Sequence, residues 1–321
     1  MYQELLKKDN GLNFLKERFK DGNDNHAFIL QCKDNILYDG MFGFFATYAL
    51  NGDIGGELYD KITKKVCPDV YFFPSDGRQK IAVADIEVLI RQSATSPLSE
   101  KKKIFCIDAS DGVREDWQNK LLKILEEPPK NVIIAIACIN AEELLMTVKS
   151  RCQVTNIGCF DTETIADFLN KRGAPKEKAA VVARLAGGSA GKATYIADTP
   201  FYLGCIDDMS KMLVGLKTSK DIVLWLPIMA KYKEKYADML EIIQNLLFDA
   251  VLLDTKGCEI LNLSKKDDII QIAASYTPAA VTKIISLTER AKTMLDNYVG
   301  FNTVTDNLLL NILEVKYRCR Q

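Results

Sequence analysis

Histidine is almost absent from this chain: His26 is the single histidine in 321 residues. Mechanisms that need two histidines, which include many hydrolases and metalloenzymes, are therefore excluded. Cysteine occurs nine times, an odd number, and no two cysteines form a C-x-x-C pair. We expect neither a disulfide framework nor a zinc site. Cysteines within apolar runs, such as Cys106 and Cys138, are expected to be buried, inert thiols.

The chain also has almost no net charge and no long apolar run. Its 42 Lys and Arg against 43 Asp and Glu give 42 − 43 = −1, which does not favour a strongly cationic nucleic-acid binder. The longest strongly apolar run, Val132–Ile139, is far shorter than the roughly 20 residues that cross a bilayer. The amino-terminal sequence MYQELLKKDN has no apolar signal core. We expect a soluble, cytoplasmic protein with no membrane association.

What is present is an alternation of apolar strand-like runs and helical periods. Strands are predicted at His26–Cys32, Ile104–Asp108 and Val132–Ile139, with helices between them. Strands that are apolar along their whole length are covered on both faces, so residues 1–157 are predicted to form an α/β domain with a parallel sheet. Beyond it, residues 158–199 are predicted to form a small helical domain and residues 200–321 a helical bundle.

Two polar segments of the first domain are interpreted as surface. The stretch 51–69 is rich in glycine and charge, and it is predicted to be a surface connection that leads into a strand. The run Lys101-Lys102-Lys103 could contact DNA phosphates, but a solvated charge run before a buried strand is the preferred interpretation.

The turn after the first predicted strand is the natural place for a phosphate loop, and it lacks one. It offers Gly40 alone, with no Lys or hydroxyl residue after it, and Asp34 and Asp39 would repel a polyphosphate. The only Gly-Lys dipeptide, Gly191-Lys192, is followed by Ala193 in place of the hydroxyl residue. The sequence therefore predicts that this turn does not bind ATP.

The remaining parts of an ATPase are incomplete too. ATP hydrolysis needs a strand-ending Asp for magnesium and an acid beside it to orient water. Asp108 ends a predicted strand, but Ala109 and Ser110 follow it, so we interpret Asp108 as a carboxylate that orders its loop. The dinucleotide motif G-x-G-x-x-G is absent after the first strand. We expect no cofactor and no metal.

Several motifs resemble one known family. Lys120–Pro129 reads KLLKILEEPP, a buried strand follows it, and Ser150-Arg151-Cys152 comes next. In order and spacing these motifs resemble the bacterial clamp-loader subunits of DNA polymerase III, which are AAA+ proteins. His26–Leu30 is similar to the strand that precedes the family's phosphate loop. Gly187–Ala193 is similar to its lid-domain G-S-x-G-[RK]-A element, and Asn302–Leu313 to its closing collar helix.

The resemblance implies an α/β AAA+ parallel-sheet domain, a small helical lid and a helical collar, with a specific role for Arg151. In the family this arginine projects across the subunit boundary onto the γ-phosphate bound by a neighbour, where a planar guanidinium suits the developing charge. Ser150 and Cys152 would support it, Cys152 as a small packed side chain. A surface ion pair is the common alternative for an isolated arginine. Glu126 and Glu127 are interpreted as the end of a solvent-facing helix.

The departures from the family pattern favour a member whose own ATP site has decayed. The phosphate-loop Lys is missing, and Ala109 stands in place of the catalytic Glu. Cys138-Ile139 replaces the sensor hydroxyl residues, and Cys67 is the only cysteine in the stretch where the family has its zinc cysteines. The resemblance thus implies a non-catalytic subunit, and the zinc module of the family is expected to be lost.

The partners implied by the resemblance are the ATPase (gamma/tau) and delta subunits of the loader. The sliding clamp and primed DNA would be reached through the complex, in the service of DNA replication. Two alternatives stay open: an independent NTPase with an atypical phosphate loop, and a purely structural AAA+ scaffold.

Overall fold

The computed structural model describes residues 2–22, 25–75, 80–253 and 260–319. The chain divides into two compact units, one formed by residues 1–171 with 188–193 and the other by residues 172–187 with 194–321. The three-domain division with boundaries at residues 157 and 199 stays a prediction. Among the described residues, no helix is both long enough and apolar enough to cross a bilayer.

The first unit is built on a five-stranded, all-parallel sheet, as the sequence predicts. The strand order is β2-β3-β4-β1-β5. The strands are β1 (Ala27–Gln31), β2 (Val70–Phe73), β3 (Lys103–Asp108), β4 (Val132–Cys138) and β5 (Gln153–Asn156). The helices are α1 (Gln3–Lys7), α2 (Asn10–Lys20), α3 (Tyr38–Ala49), α4 (Glu57–Thr63), α5 (Val83–Ser93), α6 (Glu115–Glu126), α7 (Met146–Lys149) and α8 (Thr162–Lys171), with 3-10 turns at Asn35–Leu37 and Ala141–Glu143.

Successive side chains of a strand point to opposite faces of a sheet, and both faces of this sheet are covered. On one face the ring of Phe28 in β1 lies 5.4 Å from that of Phe19 in α2 and 5.2 Å from that of Phe45 in α3. The next residue, Ile29, belongs to the buried cluster that contains Trp117 of α6. The predicted α/β parallel-sheet fold is confirmed.

The stretch 51–69, which the sequence predicts to be a surface connection, contains helix α4. Tyr59 and Ile62 of this helix are buried, and the ring of Tyr59 packs edge-on against Phe44 at 5.7 Å. The sequence pattern does not predict this short helix, because Tyr59 and Ile62 are its only buried residues and the stretch around them is rich in glycine and charge. The prediction is wrong for residues 57–63.

Asp69, at the end of that stretch, is a buried loop-ordering carboxylate. It accepts hydrogen bonds from the backbone N–H groups of Leu98, Ser99 and Glu100 at 2.7, 2.6 and 2.8 Å. Burial alone would raise the pKa of Asp69, but these donors together hold that pKa below its ordinary value. The connection between α5 and β3 therefore depends on an ionised carboxylate.

Lys103 is buried within β3 and does not belong to a solvated charge run. Its Nζ donates to the Gln92 carbonyl oxygen at 2.9 Å and to Thr95 Oγ1 at 2.5 Å, and it lies 5.7 Å from the centroid of the Tyr71 ring. These oxygen atoms replace the water that burial removes. The interpretation of the lysine run as solvated is wrong at this position.

The second unit is helical throughout its described residues. Proline occupies the first turn of two of its helices, Pro200 and Pro278, where its missing N–H costs no hydrogen bond. The sequence predicts the helical bundle, but it does not predict the helix over residues 266–275. The helices are α9 (Lys176–Leu185), α10 (Ala190–Asp198), which begins in the first unit, α11 (Pro200–Gly215), α12 (Ser219–Ala230), α13 (Tyr236–Leu252), α14 (Lys266–Ser275), α15 (Pro278–Asp296) and α16 (Phe301–Arg318), with 3-10 turns at Lys233–Lys235 and Leu263–Lys265.

Candidate functional site

Arg151 lies in the turn between α7 and β5, with its guanidinium at the surface of the first unit. Nη1 donates to the Thr147 carbonyl oxygen at 2.8 Å and to Ser150 Oγ at 3.2 Å. Nη2 donates to Glu126 Oε1 at 2.6 Å. The Arg151 side chain is 33% exposed and that of Glu126 is 51% exposed. The guanidinium is thus fixed by one backbone oxygen, one hydroxyl and one exposed carboxylate.

The position of this turn is set by α6. Gln118 of α6 is fully buried, and its Oε1 accepts the backbone N–H of Leu145, at the start of α7, at 2.8 Å. Its Nε2 donates to the Arg114 carbonyl oxygen at 3.1 Å. Val148 of α7 is completely buried in the cluster on this face of the sheet. A short helix that cannot form alone is therefore held by a buried amide and one apolar side chain.

Ser150 and Cys152 flank Arg151 in different environments. Ser150 Oγ donates to the Thr147 carbonyl oxygen at 3.1 Å and accepts from Arg151, so it links the guanidinium to the end of α7. Cys152 packs against the buried cluster, and burial raises the pKa of its thiol to about 12. Because a thiol with this pKa is protonated near neutral pH, Cys152 cannot act as a ready nucleophile.

A cavity of about 490 Å³ opens beside the three motif residues. His26 Nε2 lies within hydrogen-bond distance, 2.9 Å, of the Leu125 carbonyl oxygen, which ties the start of β1 to the end of α6. Arg18 supplies a second guanidinium, and its Nε is buried without a hydrogen-bond partner among the described residues. The lining residues are Arg18, Asn25, His26, Ser150, Arg151, Cys152 and Gln153.

A second cavity, of about 560 Å³, lies at the carboxyl ends of β2 and β3, where a sheet of this kind binds ligands. Three carboxylates, those of Asp39, Asp108 and Asp111, line it together with Lys65. Lys65 Nζ is 3.1 Å from Asp39 Oδ1, so this lysine is already paired. Among the described residues, the lining does not offer the cationic cradle that a polyphosphate needs.

Asp108 behaves as the sequence predicts. Its Oδ1 accepts from the backbone N–H of Ser110 at 2.9 Å and from Ser110 Oγ at 2.7 Å, which orders the loop after β3. Within the described ranges, no group of three or more His, Cys, Asp or Glu side chains is placed to hold a metal ion. The thiols of Cys106 and Cys138 are fully buried and free, and burial raises the pKa of both. Cys258 lies outside the described residues.

Two residues of the site are missed by sequence reasoning. Glu126 is the partner of Arg151, although its position suggests only the end of a solvent-facing helix. Gln118 is the buried amide that holds α7. The signal for Gln118 is a polar residue on the apolar side of α6, between Trp117 and Leu121, but nothing in the sequence names its partner.

Comparison with known proteins gives one consistent family. A family model described as DNA polymerase III, delta subunit, matches residues 7–160. The DNA polymerase III subunit delta' of Bacillus subtilis is 24% identical over 262 residues, 77% of this chain and 76% of that protein. The subunit delta' of Escherichia coli is 24% identical over 305 residues, 91% of this chain and 90% of that protein.

The likeness extends to another subunit type. The DNA polymerase III subunit gamma of Buchnera aphidicola (subspecies Schizaphis graminum) is 25% identical over 219 residues, 64% of this chain and 58% of that protein. The match with this relative thus spans less than two thirds of its length. The parallel sheet, the helices that follow it and these matches agree: the proteins that this chain matches over most of its length are delta' subunits of DNA polymerase III, in the clamp-loader AAA+ family.

Proposed function

We propose that this chain acts beside ATPase subunits of the clamp loader and supplies Arg151 in trans to the ATP bound by a neighbour. The observation that carries the proposal is the position of the Arg151 guanidinium, which lies at the surface beside an open cavity and is fixed by Thr147 and Glu126. Ser150 and Cys152 support the base of the side chain. The gamma/tau and delta subunits are the proposed partners, and the sliding clamp and primed DNA are reached through the complex.

The ion pair between Arg151 and Glu126 is weak enough to be broken in this role. Exposed pairs contribute about 0.2–1 kcal/mol. An arginine finger is worth about 10³ to 10⁵ in rate in GTPase systems, which corresponds to about 4–7 kcal/mol. The contact that Arg151 would gain at a transition state therefore exceeds the contact that it would leave.

The proposal includes no ATP hydrolysis by the chain itself. In support, the loop after β1 lacks the phosphate-binding Lys, and Lys65, which lines the described part of the cavity at the carboxyl ends of the strands, is paired with Asp39. The Asp108 carboxylate accepts two hydrogen bonds from Ser110, and Ala109 supplies no carboxylate for orienting water. Catalysis would then depend on the neighbour's nucleotide site.

The test is DNA- and clamp-stimulated ATP hydrolysis by the ATPase subunits of the same organism, assembled with this chain or with Arg151→Ala. Arg114→Ala is the matched control, because Arg114 is also in an exposed ion pair, with Asp116 at 2.6 Å, at the opposite end of α6 from Glu126. Gel filtration must show that all three forms join the complex. We expect the unchanged chain and Arg114→Ala to stimulate turnover, and Arg151→Ala to fail.

The other outcomes separate the alternatives. Equal stimulation by all three forms would make the chain a structural scaffold. Failure of the unchanged chain to associate would contradict the clamp-loader function. Saturable Mg-ATP binding and hydrolysis by the isolated chain would support an independent NTPase.

A further inference from the structure

The cavity beside Arg151 lies at the amino ends of two neighbouring strands. His26 lines it immediately before β1, and Cys152 lines it immediately before β5, which pairs with β1 in parallel. A sheet of this kind binds its own ligands at the carboxyl ends of its strands, where the cavity of about 560 Å³ lies. A ligand of the cavity of about 490 Å³ would therefore be bound at the opposite edge of the sheet.

The charge of the lining also distinguishes this cavity from the other one. Its described lining includes two guanidinium groups, those of Arg18 and Arg151, and no carboxylate. The described lining of the cavity at the carboxyl ends contains three aspartates and one lysine. Arg18 leaves the cavity beside Arg151 with a surplus of positive charge even when Glu126 is set against Arg151. The ligand that this cavity favours is therefore an anion.

Arg18 holds a donor group that the described chain does not use. Its Nε is buried and has no hydrogen-bond partner among the described residues. Its Cζ lies 5.7 Å from the centroid of the half-exposed Phe14 ring, one turn earlier on α2. Buried polar groups are hydrogen-bonded in the great majority of cases, and a buried donor without a partner is unfavourable. An anion in the cavity would supply the acceptor that Nε lacks.

The two sides of the cavity are carried by elements that are fixed on the same sheet. Asn25 Nδ2 donates to Gln153 Oε1 at 2.9 Å, which links the chain before β1 to the first residue of β5. Arg18 is in the last turn of α2, and the ring of its neighbour Phe19 packs 5.4 Å from that of Phe28 in β1. A ligand would therefore meet a site that is already formed.

We propose that Arg18 is a second phosphate-binding residue of this cavity, and that with Arg151 it binds the terminal phosphate groups of the ATP held by the neighbouring subunit. This role of Arg18 rests on the proposed function of Arg151. A guanidinium pairs with phosphate oxygens through two parallel N–H donors, so a triphosphate chain offers enough oxygens for two arginines. Because ADP lacks the γ-phosphate, the contact should distinguish ATP from ADP.

The first test compares the binding of a nonhydrolysable ATP analogue and of ADP by the assembled loader, with the unchanged chain or with Arg18→Met. Methionine keeps the apolar part of the side chain and removes the guanidinium. The nucleotide site beside this chain should bind the analogue about tenfold to hundredfold more weakly, and its affinity for ADP should stay within about twofold. Lys20→Met is the matched control, because Lys20 is in the same turn of α2 and pairs with Glu17 at 3.2 Å. It should leave both affinities within about twofold.

The second test is the melting temperature of the full chain. Because Nε has no partner to lose, and the contact with Phe14 is weak, Arg18→Met should melt no more than about 3 °C below the unchanged chain. Removing a guanidinium that serves a ligand lowers affinity and spares stability, whereas removing one that holds the fold lowers stability. A larger fall in the melting temperature, or a failure to fold, would overturn the proposal.

The remaining outcomes separate Arg18 from Arg151. Unchanged affinity for the analogue in Arg18→Met, or an equal loss for the analogue and ADP, would overturn the role of Arg18. If Arg151→Ala still fails to stimulate turnover in that case, the proposed function stands without Arg18. Normal turnover with Arg151→Ala would contradict the proposed function itself, and the role of Arg18 would fall with it.

Discussion

Replacing Glu126 by Gln tests how the ion pair on Arg151 bears on its proposed action. The pair joins Arg151 Nη2 to Glu126 Oε1 at 2.6 Å, between side chains that are 33% and 51% exposed. At this exposure, water screens the attraction, and the pair contributes about 0.2–1 kcal/mol. Glutamine keeps the length of the side chain and one acceptor oxygen, and it removes the charge.

The expected effect on turnover is a small increase. If the guanidinium leaves Glu126 when it reaches the neighbour's phosphate, the free energy of the pair is lost in the active state. Removing the pair then lowers the barrier by at most about 1 kcal/mol, which is about a fivefold higher rate. The free energy of unfolding should fall by less than about 1 kcal/mol.

The assay is ATP turnover by the assembled complex, with urea unfolding of the isolated chain followed by tryptophan fluorescence, to which Trp117 in the first unit and Trp225 in the second both contribute. Glu127→Gln is the control, because it makes the same charge change on the adjacent residue, which has no side-chain partner in the described parts of the chain. Its turnover should match that of the unchanged chain. A loss of more than about tenfold in Glu126→Gln, with normal assembly, would refute this reasoning and make Glu126 a residue that orients Arg151.

Three further predictions concern stability and reactivity. Asp69→Asn should lower the free energy of unfolding by about 2–4 kcal/mol at neutral pH, because an amide group would face N–H donors that now bind a carboxylate; urea unfolding measures this. Since the pKa of Asp69 is lowered by folding, its contribution is present above about pH 4 and lost as the pH falls through the lowered pKa, and the variant should lack that acid-dependent loss. Lys103→Met should cost about 1–3 kcal/mol, because two buried oxygen acceptors lose their donor; an unchanged melting temperature would contradict the burial of this amine. A neutral alkylating reagent should modify the exposed Cys159 well before Cys152, whose pKa burial raises to about 12, and peptide mass spectrometry would show the reverse order if Cys152 were accessible as thiolate.

The sheet is predictable from the sequence because its strands are apolar along their length. The run Val132–Ile139 is observed as the strand Val132–Cys138, and His26–Cys32 as Ala27–Gln31. Residues buried on both faces leave a continuous signal of this kind. Helix α4 leaves no such signal in the sequence, since only two of its residues are buried and the stretch around them is rich in charge and glycine.

The side-chain partners of the site are not predictable in the same way. The motif draws attention to Arg151, but its partner Glu126 is 25 positions away, and the contact depends on how α6 and α7 pack. Asn25 and Gln153, which are hydrogen-bonded at the same cavity, are 128 positions apart. Lys103 is misjudged for the same reason, because the oxygen atoms that make its burial possible come from α5 and the loop after it.

The central claim is that Arg151 acts on the ATP of a neighbouring subunit, and single-turnover hydrolysis by the assembled loader tests it most directly. ATP is bound to the complex first, and the release of phosphate is followed after DNA and clamp are added. With Arg151→Ala, the account predicts two phases: the fraction of ATP held next to this chain is cleaved about 10³-fold or more slowly, while the remaining fraction keeps the wild-type rate. A single phase at the wild-type rate, from a complex that gel filtration shows to contain the variant, would contradict the account.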